Sequence, residues 1–337
     1  MPRASRLLPL ICLLVSLCAP ALAAQRGFFA MDTYMAVSCE GENAEEALEA
    51  AEARVRELEA LWSATDEESE IYALDHAGGE AVAISADTEA ILRFGAEMGA
   101  RTGGCLDITL YPVSRLWGFT TGDYRVPPET ELAAALALVG YEQLELSPGA
   151  ARLPEGAQVD LGALGKGWAG DEAVAVLRKC GVTSALLDLG GNVQALGSKA
   201  DGSAWRVGII MPEDQTNFCA LEVRDAAVVT SGNYERFFTA DDGAVYGHIL
   251  DPKTGAPVEN GLKSVTVIGA EGKKCDALST ALFVMGRDAA IEHWRTYGDF
   301  DMVLLTEENV VYITEGLQGD FSLAQGYEGL AVTVVSR

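Results

Sequence analysis

The stretch Val159-Asp-Leu-Gly-Ala-Leu-Gly-Lys-Gly-Trp-Ala-Gly-Asp171 carries the strongest structural signal in this chain. An apolar run ends in an acid, a turn with three glycines follows, and an apolar-periodic segment continues to Gly181. We interpret this as strand, glycine-rich turn and helix, with Asp160 and Lys166 at the mouth of the turn. A glycine-rich backbone can approach a phosphate closely, and a helix N-terminus favours its negative charge. The alternative is a tight strand-helix corner that binds nothing.

Neither standard nucleotide-binding loop fits these residues. Asp160 stands where the first glycine of a P-loop is required, and Gly167 stands where its Ser or Thr is required. The glycines also fall as G-x-x-G-x-G, which is not the dinucleotide-binding fingerprint. Any phosphate site here is therefore of another kind.

Composition limits the classes of function. The chain has 337 residues, 49% of them hydrophobic, which is enough for a large buried core. Its formal net charge of -26 argues against nucleic acid, whose phosphates need Lys and Arg, and disfavours anionic lipid surfaces. Binding of a phosphorylated ligand would need local help from a metal ion or from backbone N–H groups.

The N-terminus has the pattern of an export signal. Arg3 and Arg6 precede a short apolar core from Leu7 to Leu17, and Ala21-Leu-Ala23 offers a small-x-small cleavage site. We expect residues 1–24 to be a signal peptide, or a lipoprotein leader that ends before Cys18. The remaining domain, residues 27–337, is expected to be exported, either to the periplasm or to the extracytoplasmic face of the membrane, where it could be lipid-anchored.

Helical and strand periodicities are interleaved but do not alternate strictly. Apolar spacing of three and four residues predicts helices, and short β-branched runs predict strands. The helices are Ala44–Trp62, Thr88–Ala100, Pro128–Val139, Trp168–Cys180, Asp276–Met285 and Ala289–Tyr297; the strands are Ser184–Leu189, Val193–Leu196, Trp205–Ile210, Cys219–Val223, Ala227–Thr230, Ser264–Ile268, Met302–Leu305 and Val310–Ile313. This order favours an α+β fold with mixed or antiparallel sheets over a Rossmann layout.

Four further segments carry chemical side chains. Asp188-Leu-Gly-Gly-Asn192 and Thr230-Ser-Gly-Asn-Tyr-Glu-Arg236 each follow a predicted strand, and either could be an ordinary turn. His248 precedes an Asp-Pro turn and is one of three histidines in the chain. Asp276 and Thr280 are four residues apart at a predicted helix start, so their oxygens can face one side. That pair suits Mg²⁺, although Asp276 could instead cap the helix.

The cysteines do not indicate a metal site. Outside the leader they are Cys39, Cys105, Cys180, Cys219 and Cys275, far apart and without C-x-x-C spacing. A disulfide is possible in an oxidising compartment, but the sequence does not assign one.

Taken in order, the motifs match one family. They are Met31-Asp-Thr-Tyr-Met35, Ser69-Glu-Ile71, Leu106-Asp-Ile-Thr109, Leu116-Trp-Gly-Phe119, Val159-Asp-Leu-Gly-Ala-Leu-Gly-Lys-Gly167, Leu189-Gly-Gly-Asn192, Trp205-Arg-Val-Gly208, Thr230-Ser-Gly-Asn-Tyr234, His248-Ile-Leu-Asp-Pro-Lys-Thr-Gly255 and Asp276 with Ser279-Thr280. From about Phe29 to about Gly286 the chain resembles the ApbE family of FAD:protein FMN transferases. The resemblance implies a single large α+β domain related to the T-fold.

The resemblance also implies an activity. Family members use Mg²⁺ to split FAD and attach FMN through a phosphoester to a Thr or Ser of an acceptor protein, releasing AMP. Acceptors carry a motif of the form Asp-x-x-Ser/Thr-Gly-Ala-Ser/Thr and are expected in membrane-linked electron transport. The alternatives are FAD hydrolysis to FMN and AMP, or a flavin-binding lipoprotein without catalysis.

Site residues follow from motif positions. Mg²⁺ would be bound by Asp276, Thr280 and the backbone oxygen of Ala163, and His248 would be the general base that takes the acceptor's hydroxyl proton. The residues implied to contact FAD are Met31, the Cys105-Leu106-Asp107 strand end, Asp160, Lys166 and Leu250. One departure is Thr65 in Leu61-Trp-Ser-Ala-Thr65, where the family often has an aromatic that stacks on the flavin. Trp62 or Tyr72 could replace that contact.

Overall fold

The computed structural model describes residues 23–337. Arg3, Arg6, the apolar core from Leu7 to Leu17 and Cys18, on which the leader prediction depends, lie outside the described residues. Ala23 and Ala24, the last residues of the predicted leader, form the start of the first strand. Within residues 23–337 no helix has both the length and the apolar character needed to cross a membrane.

The described residues form eight α-helices and seventeen β-strands. The helices are α1 (Ala44–Trp62), α2 (Glu70–Asp75), α3 (Ala86–Arg101), α4 (Tyr111–Trp117), α5 (Glu129–Leu136), α6 (Gly165–Lys179), α7 (Gly272–Met285) and α8 (Arg287–Tyr297). The strands are β1 (Ala23–Ala30), β2 (Thr33–Glu40), β3 (Val82–Ala83), β4 (Glu145–Ser147), β5 (Ala150–Arg152), β6 (Ser184–Leu189), β7 (Asn192–Leu196), β8 (Trp205–Ile210), β9 (Asn217–Val223), β10 (Ala226–Ser231), β11 (Phe237–Thr239), β12 (Val245–Gly247), β13 (Leu262–Gly269), β14 (Asp301–Thr306), β15 (Val310–Thr314), β16 (Phe321–Leu323) and β17 (Ala331–Val335).

A nine-stranded sheet organises the domain. Its order is β1-β2-β6-β7-β10-β13-β14-β15-β17, and every neighbouring pair is antiparallel except β15 and β17. A smaller sheet, β16-β9-β8, is also antiparallel. The predicted α+β class with mixed and antiparallel sheets is therefore confirmed.

The two faces of the large sheet are covered differently. Along β10, Ala227 and Val229 belong to the main apolar core, whereas Val228 belongs to a second core shared with β8 and β9. This follows from the alternation of side chains along a strand. The main core is completed by the apolar stripe of α1, which recurs every three or four residues and includes Leu48, Val55 and Leu58. Helices therefore cover one face and the smaller sheet covers the other.

Helices α6 and α7 approach each other more closely than side chains would allow. A Cβ added at Gly167 would lie 2.3 Å from the carbonyl oxygen of Gly272, and one added at Gly272 would lie 1.7 Å from Gln194 Nε2. Gln194 Nε2 in turn donates to the carbonyl oxygen of Gly167 at 3.0 Å. Glycine at both positions thus lets the two helix N-terminal turns meet, and this contact brings Asp276 beside Gly167.

Three predictions about local structure are wrong. Residues 159–161 are extended but do not form a strand, because only Gln158 makes a bridge, to Leu110. The segment Cys105–Asp107 is not a strand end; it lies in a series of turns after α3. Helix α7 begins at Gly272 with Glu271 as its N-cap residue, so Asp276 lies inside the helix and is not its cap.

Other details agree with the predictions or extend them. The predicted bounds of α1, β6 and β8 match the structure. The β1–β2 hairpin was not predicted. All five cysteines in the described residues are free thiols, so none of them forms a disulfide here.

The close contact of α6 and α7 can be tested by adding one methyl group. Gly167→Ala should lower the free energy of unfolding by about 1–3 kcal/mol, as overpacking of a rigid core does. Gly165→Ala is the matched control, because a Cβ there meets no heavy atom within 4 Å. It should be neutral or stabilising, by up to about 1 kcal/mol, through helix propensity. The free energy of unfolding of both variants is measured by chemical denaturation. Equal changes in the two variants would contradict the close packing of α6 on α7 at Gly167.

Candidate active site

A single cleft of about 580 Å³ brings all of the predicted site residues together. It is bounded by the β1–β2 and β6–β7 turns, the start of α6, the segment after β10 and the first half of α7. The predicted residues on its wall are Met31, Cys105, Leu106, Asp107, Asp160, Ala163, Lys166, His248, Leu250, Asp276 and Thr280. These residues, which lie far apart in the sequence, therefore share one cleft.

Two hairpin turns form one side of the cleft. Met31 and Asp32, between β1 and β2, have φ values of 50° and 59°, and Gly190 and Gly191, between β6 and β7, have 65° and 90°. Two-residue turns with positive φ match the twist of an antiparallel hairpin. Met31 is held there by its N–H, which donates to Glu59 Oε1 at 2.6 Å. A non-glycine residue in this conformation is strained, and such strain is commonly found at functional sites.

Asp276 is a buried acid of the cleft that links α7 to α6. The residue is 3% exposed, and its Oδ2 accepts the N–H of Gly167 at 2.8 Å. Gly167 is the third residue of α6, so its N–H is one of the N-terminal donors that have no partner within the helix, and the carboxylate of Asp276 supplies the acceptor. Among residues 23–337, no hydrogen bond engages Ala163 O or the second carboxylate oxygen of Asp276, Oδ1. Ala163 and Asp276 both line the cleft, each with one oxygen that makes no hydrogen bond within the described residues.

Thr280 supplies a third oxygen one helical turn further along α7. Its Oγ1 lies 3.2 Å from Ser231 Oγ, which lies 2.8 Å from Ser279 Oγ. Ser279 Oγ donates to the backbone oxygen of Asp276 at 2.9 Å. These contacts link the end of β10 to α7 and fix the face of the helix on which Asp276 and Thr280 lie.

The oxygens of Asp276, Thr280 and Ala163 fit a hard cation. Mg²⁺ usually binds proteins through one or two carboxylates and completes its shell with phosphate and water. The described residues contain no group of three or more His, Cys, Asp or Glu that could hold a metal by themselves. The donor set fits an ion shared with a phosphorylated ligand better than an ion held by the protein alone.

Asp160 and Lys166 lie at the start of α6. Asp160 Oδ1 accepts the N–H of Gly162 at 2.8 Å, and Lys166 Nζ donates to Gly162 O at 3.3 Å. Burial raises the pKa of Asp160, while Lys166 and Arg236 act in the opposite direction. Two cations thus lie near a half-buried acid on the wall of the cleft.

Asp107 uses its carboxylate inside the protein. Oδ1 accepts both the N–H and the hydroxyl of Thr109, at 2.9 and 2.6 Å, and Oδ2 accepts the N–H of Tyr141 at 3.0 Å. Burial raises its pKa in spite of these bonds. Its side chain therefore shapes the loop that carries Cys105 and Leu106.

His248 is held as a neutral imidazole with one free nitrogen. Its Nδ1 lies 3.1 Å from the carbonyl oxygen of Arg236, which can only accept, so Nδ1 carries the proton. Burial lowers the pKa of His248 to about 4, and the nearby Arg236 and Lys166 lower it as well. Nε2 is thus an unprotonated acceptor at neutral pH, and within residues 23–337 no hydrogen bond engages it.

Aromatic side chains form part of the wall. Trp62 and Phe119 line the cleft, and the ring of Phe119 lies 6.4 Å from that of His248. Tyr72 is not on the wall and stacks on His76 with ring centroids 3.9 Å apart. Trp62 and Tyr72 were the two residues considered as replacements for an aromatic at position 65. Of these two, Trp62 lies on the wall of the cleft and Tyr72 does not.

Comparison with known proteins identifies the family. The model of the ApbE family matches residues 31–304 of this chain. The chain belongs to the ApbE family.

Similar proteins cover most of the chain. A protein of Treponema pallidum named FAD:protein FMN transferase is 33% identical over 290 residues, covering 80% of each chain. A protein of the same name from Klebsiella pneumoniae is 30% identical over 286 residues, covering 83% of this chain and 88% of its own. The crystal structure of the ApbE protein of Thermotoga maritima superposes with a TM-score of 0.84 at 28% identity, covering 89% of this chain and 99% of that one. The apo flavinyl transferase ApbE of Pseudomonas stutzeri gives 0.80 at 27% identity, covering 90% and 99%.

Two residues that support the site were not singled out from the sequence of this ApbE family member. Glu59 lies in α1 and holds Met31, and Asp75 ends α2 and accepts the N–H of Val159 at 2.7 Å. Within an amphipathic helix, Glu59 has the pattern of a solvent-facing residue, so no local signal marks it. Asp75 follows the Ser69-Glu-Ile71 motif but lies 84 residues from its partner.

The protonation state of His248 gives a direct test. In an NMR titration of the ring nitrogens, the His248 midpoint should lie near 4, well below the ordinary value of about 6.5. At neutral pH the proton should be on Nδ1. His248→Gln identifies the resonances by their loss. A midpoint near 6.5, or a proton on Nε2 at pH 7, would contradict the site geometry.

Proposed function

We propose that the chain transfers FMN from FAD to a Ser or Thr hydroxyl of an acceptor protein through a phosphoester bond, with Mg²⁺ as cofactor and AMP as the second product. The observation that carries the proposal is the pairing, in one cleft, of free oxygens on Asp276 and Ala163 with a free Nε2 on His248. The names of the Treponema and Klebsiella relatives support it.

Attack at a pyrophosphate phosphorus depends on charge neutralisation and alignment more than on covalent catalysis. Asp276, Thr280 and the Ala163 carbonyl would hold Mg²⁺, which supplies positive charge at the diphosphate when bound. Lys166 and Arg236 line the same cleft and add positive charge from the chain itself. This explains how a protein with a formal net charge of -26 can bind an anionic dinucleotide.

His248 would accept the proton of the acceptor hydroxyl. A Ser or Thr hydroxyl is a weak nucleophile at neutral pH and needs a positioned base. The Nδ1–H bond to the carbonyl of Arg236 fixes the ring so that Nε2 is the accepting atom. A base is most effective with a pKa near the working pH. Phosphates near Lys166 and Arg236 would offset the two cations that lower the pKa of His248.

The proposed reaction is tested by incubating the protein with FAD, Mg²⁺ and an acceptor that carries Asp-x-x-Ser/Thr-Gly-Ala-Ser/Thr. The mass of the acceptor should rise by one phosphoester-linked FMN, with one AMP released per acceptor. An acceptor whose modified Ser or Thr is replaced by Ala is the control. Free FMN and AMP with an unmodified acceptor would show that hydrolysis of FAD is the activity instead.

Asp276 variants test the metal ligands. Asp276→Asn keeps an oxygen that can accept from Gly167 N–H but removes the charge, so transfer should be lost while the fold is kept. Asp276→Ala should also lose transfer and destabilise the protein by about 1–3 kcal/mol, because the buried N–H loses its acceptor. Thr280→Val should be milder, since water can replace a hydroxyl ligand. EDTA should stop the wild type and Mg²⁺ restore it; full activity in EDTA would refute the metal assignment.

His248→Ala tests the base. Transfer should fall by about 10²- to 10⁴-fold, the usual range for loss of a general base. FAD affinity, measured by equilibrium dialysis, should change little, because His248 is proposed to act on the acceptor. A variant that binds FAD weakly but turns over normally at saturating FAD would show that His248 is a binding residue.

We also propose that the protein acts outside the cytoplasm on an acceptor of membrane-linked electron transport. The proposal rests on the N-terminal pattern of Arg3, Arg6, the Leu7–Leu17 core and Ala21-Leu-Ala23. Covalent attachment would keep a flavin on a redox protein from which free flavin would diffuse away. Cell fractionation with N-terminal sequencing should find an exported chain that lacks the leader, or one acylated at Cys18. A cytoplasmic protein that begins at Met1 would overturn export.

A further inference from the structure

The segment that presents Asp160 to the cleft is held by a side chain from α2. On one side, Asp160 N–H donates to Ile108 O at 2.8 Å and Gln158 bridges Leu110. On the other side no strand of the described residues pairs with it, and the N–H of Val159 donates instead to Asp75 Oδ1 at 2.7 Å. One carboxyl group therefore takes the place of a neighbouring strand along residues 158–160.

Asp75 is an unusual group for this position. It is 8% exposed, its Oδ1 makes the bond to Val159, and its Oδ2 is buried without any hydrogen-bond partner in the described chain. A buried carboxylate with one unpaired oxygen is costly, because desolvation penalises the charged form most.

We propose that Asp75 is a positioning residue for FAD binding, which holds the Val159–Asp160 backbone so that Asp160 and the following turn keep their place in the cleft. The inference rests on the proposed function in one respect, namely that the cleft binds FAD. It assigns to Asp75 no contact with the substrate, since Asp75 does not line the cleft.

The charge of Asp75 would make this support dependent on pH. Burial raises the pKa of Asp75 to about 8; the nearby Asp160 raises it further, while the Val159 N–H and Arg115 lower it. Tyr111, on α4, is the other titratable group that interacts with it, and burial raises the pKa of Tyr111. At neutral pH the acid is therefore protonated. Above about pH 8 a second negative charge would form behind Asp160, and the two charges would repel each other.

The test compares the wild type with Asp75→Asn, which keeps the size and the accepting oxygen of the neutral acid. FAD affinity is measured by equilibrium dialysis at one fixed concentration of Mg²⁺, from pH 6.5 to 9.5. Wild-type affinity should weaken by about tenfold or more across pH 8, and Asp75→Asn should remove this step. Asp75→Ala lacks the acceptor and should bind weakly at every pH. Asp201→Asn, which changes an exposed acceptor of the Ser203 N–H, should behave as the wild type. The same alkaline step in the wild type and in Asp75→Asn would overturn the proposal.

Thermal unfolding gives a second test of the proposal, and this test does not need FAD. The folded state keeps a proton on Asp75 between the ordinary aspartate value of about 4 and about 8, whereas the unfolded state has lost it. Wild-type stability should therefore fall relative to Asp75→Asn as pH rises through this window, and the difference should level off above it. If the stability of the wild type and that of Asp75→Asn changed in parallel with pH, the role of Asp75 would be overturned. A wild type that shows this slope but binds no FAD at any pH would refute the proposed function instead.

Discussion

The hydrogen bond from the Gly167 N–H to Asp276 Oδ2 is the interaction on which the site depends. It joins the first turn of α6 to α7 at 2.8 Å, and it exists because glycine at 167 and 272 lets the helices meet without side chains between them. It gives a buried acceptor to the Gly167 N–H, which as an N-terminal donor has no partner within α6. The same bond thus orients the carboxylate, so the packing of α6 on α7 and the orientation of Asp276 have one cause.

The rest of the fold holds that junction in place and supplies the facing wall. The large sheet buries α7 against β10 and β13, and the contact of Ser231 with Thr280 ties the end of β10 to the helix. Two tight hairpin turns lie across the cleft, and Gly190 packs so closely that a Cβ would lie 2.3 Å from Thr33 Oγ1. The chain directly after His248 is fixed by Asn233 Oδ1, which accepts from Ile249 N–H at 3.3 Å. Strands, helices and hydrogen-bonded turns therefore surround the cleft.

The sequence was sufficient where the signal is local. The apolar spacing along α1 predicted its bounds correctly. The site residues that the ordered motifs indicated all line one cleft. It was insufficient where a contact spans the chain. Asp276 resembles a helix cap until α7 is seen to begin at Gly272, and the partner of Asp276 is 109 residues away. Val159 resembles a strand residue because apolar extended segments look alike, whereas its real partner is the carboxyl group of Asp75.

The central claim is that Asp276 Oδ1, Thr280 Oγ1 and Ala163 O form a divalent cation site completed by the diphosphate of FAD. The most direct measurement is anomalous diffraction from crystals grown with Mn²⁺ in place of Mg²⁺ and with FAD. The account predicts a manganese peak within about 2.0–2.4 Å of these three oxygens, and its loss in Asp276→Asn crystals. A peak elsewhere in the cleft with these oxygens unliganded, or FAD bound with no peak, would contradict it.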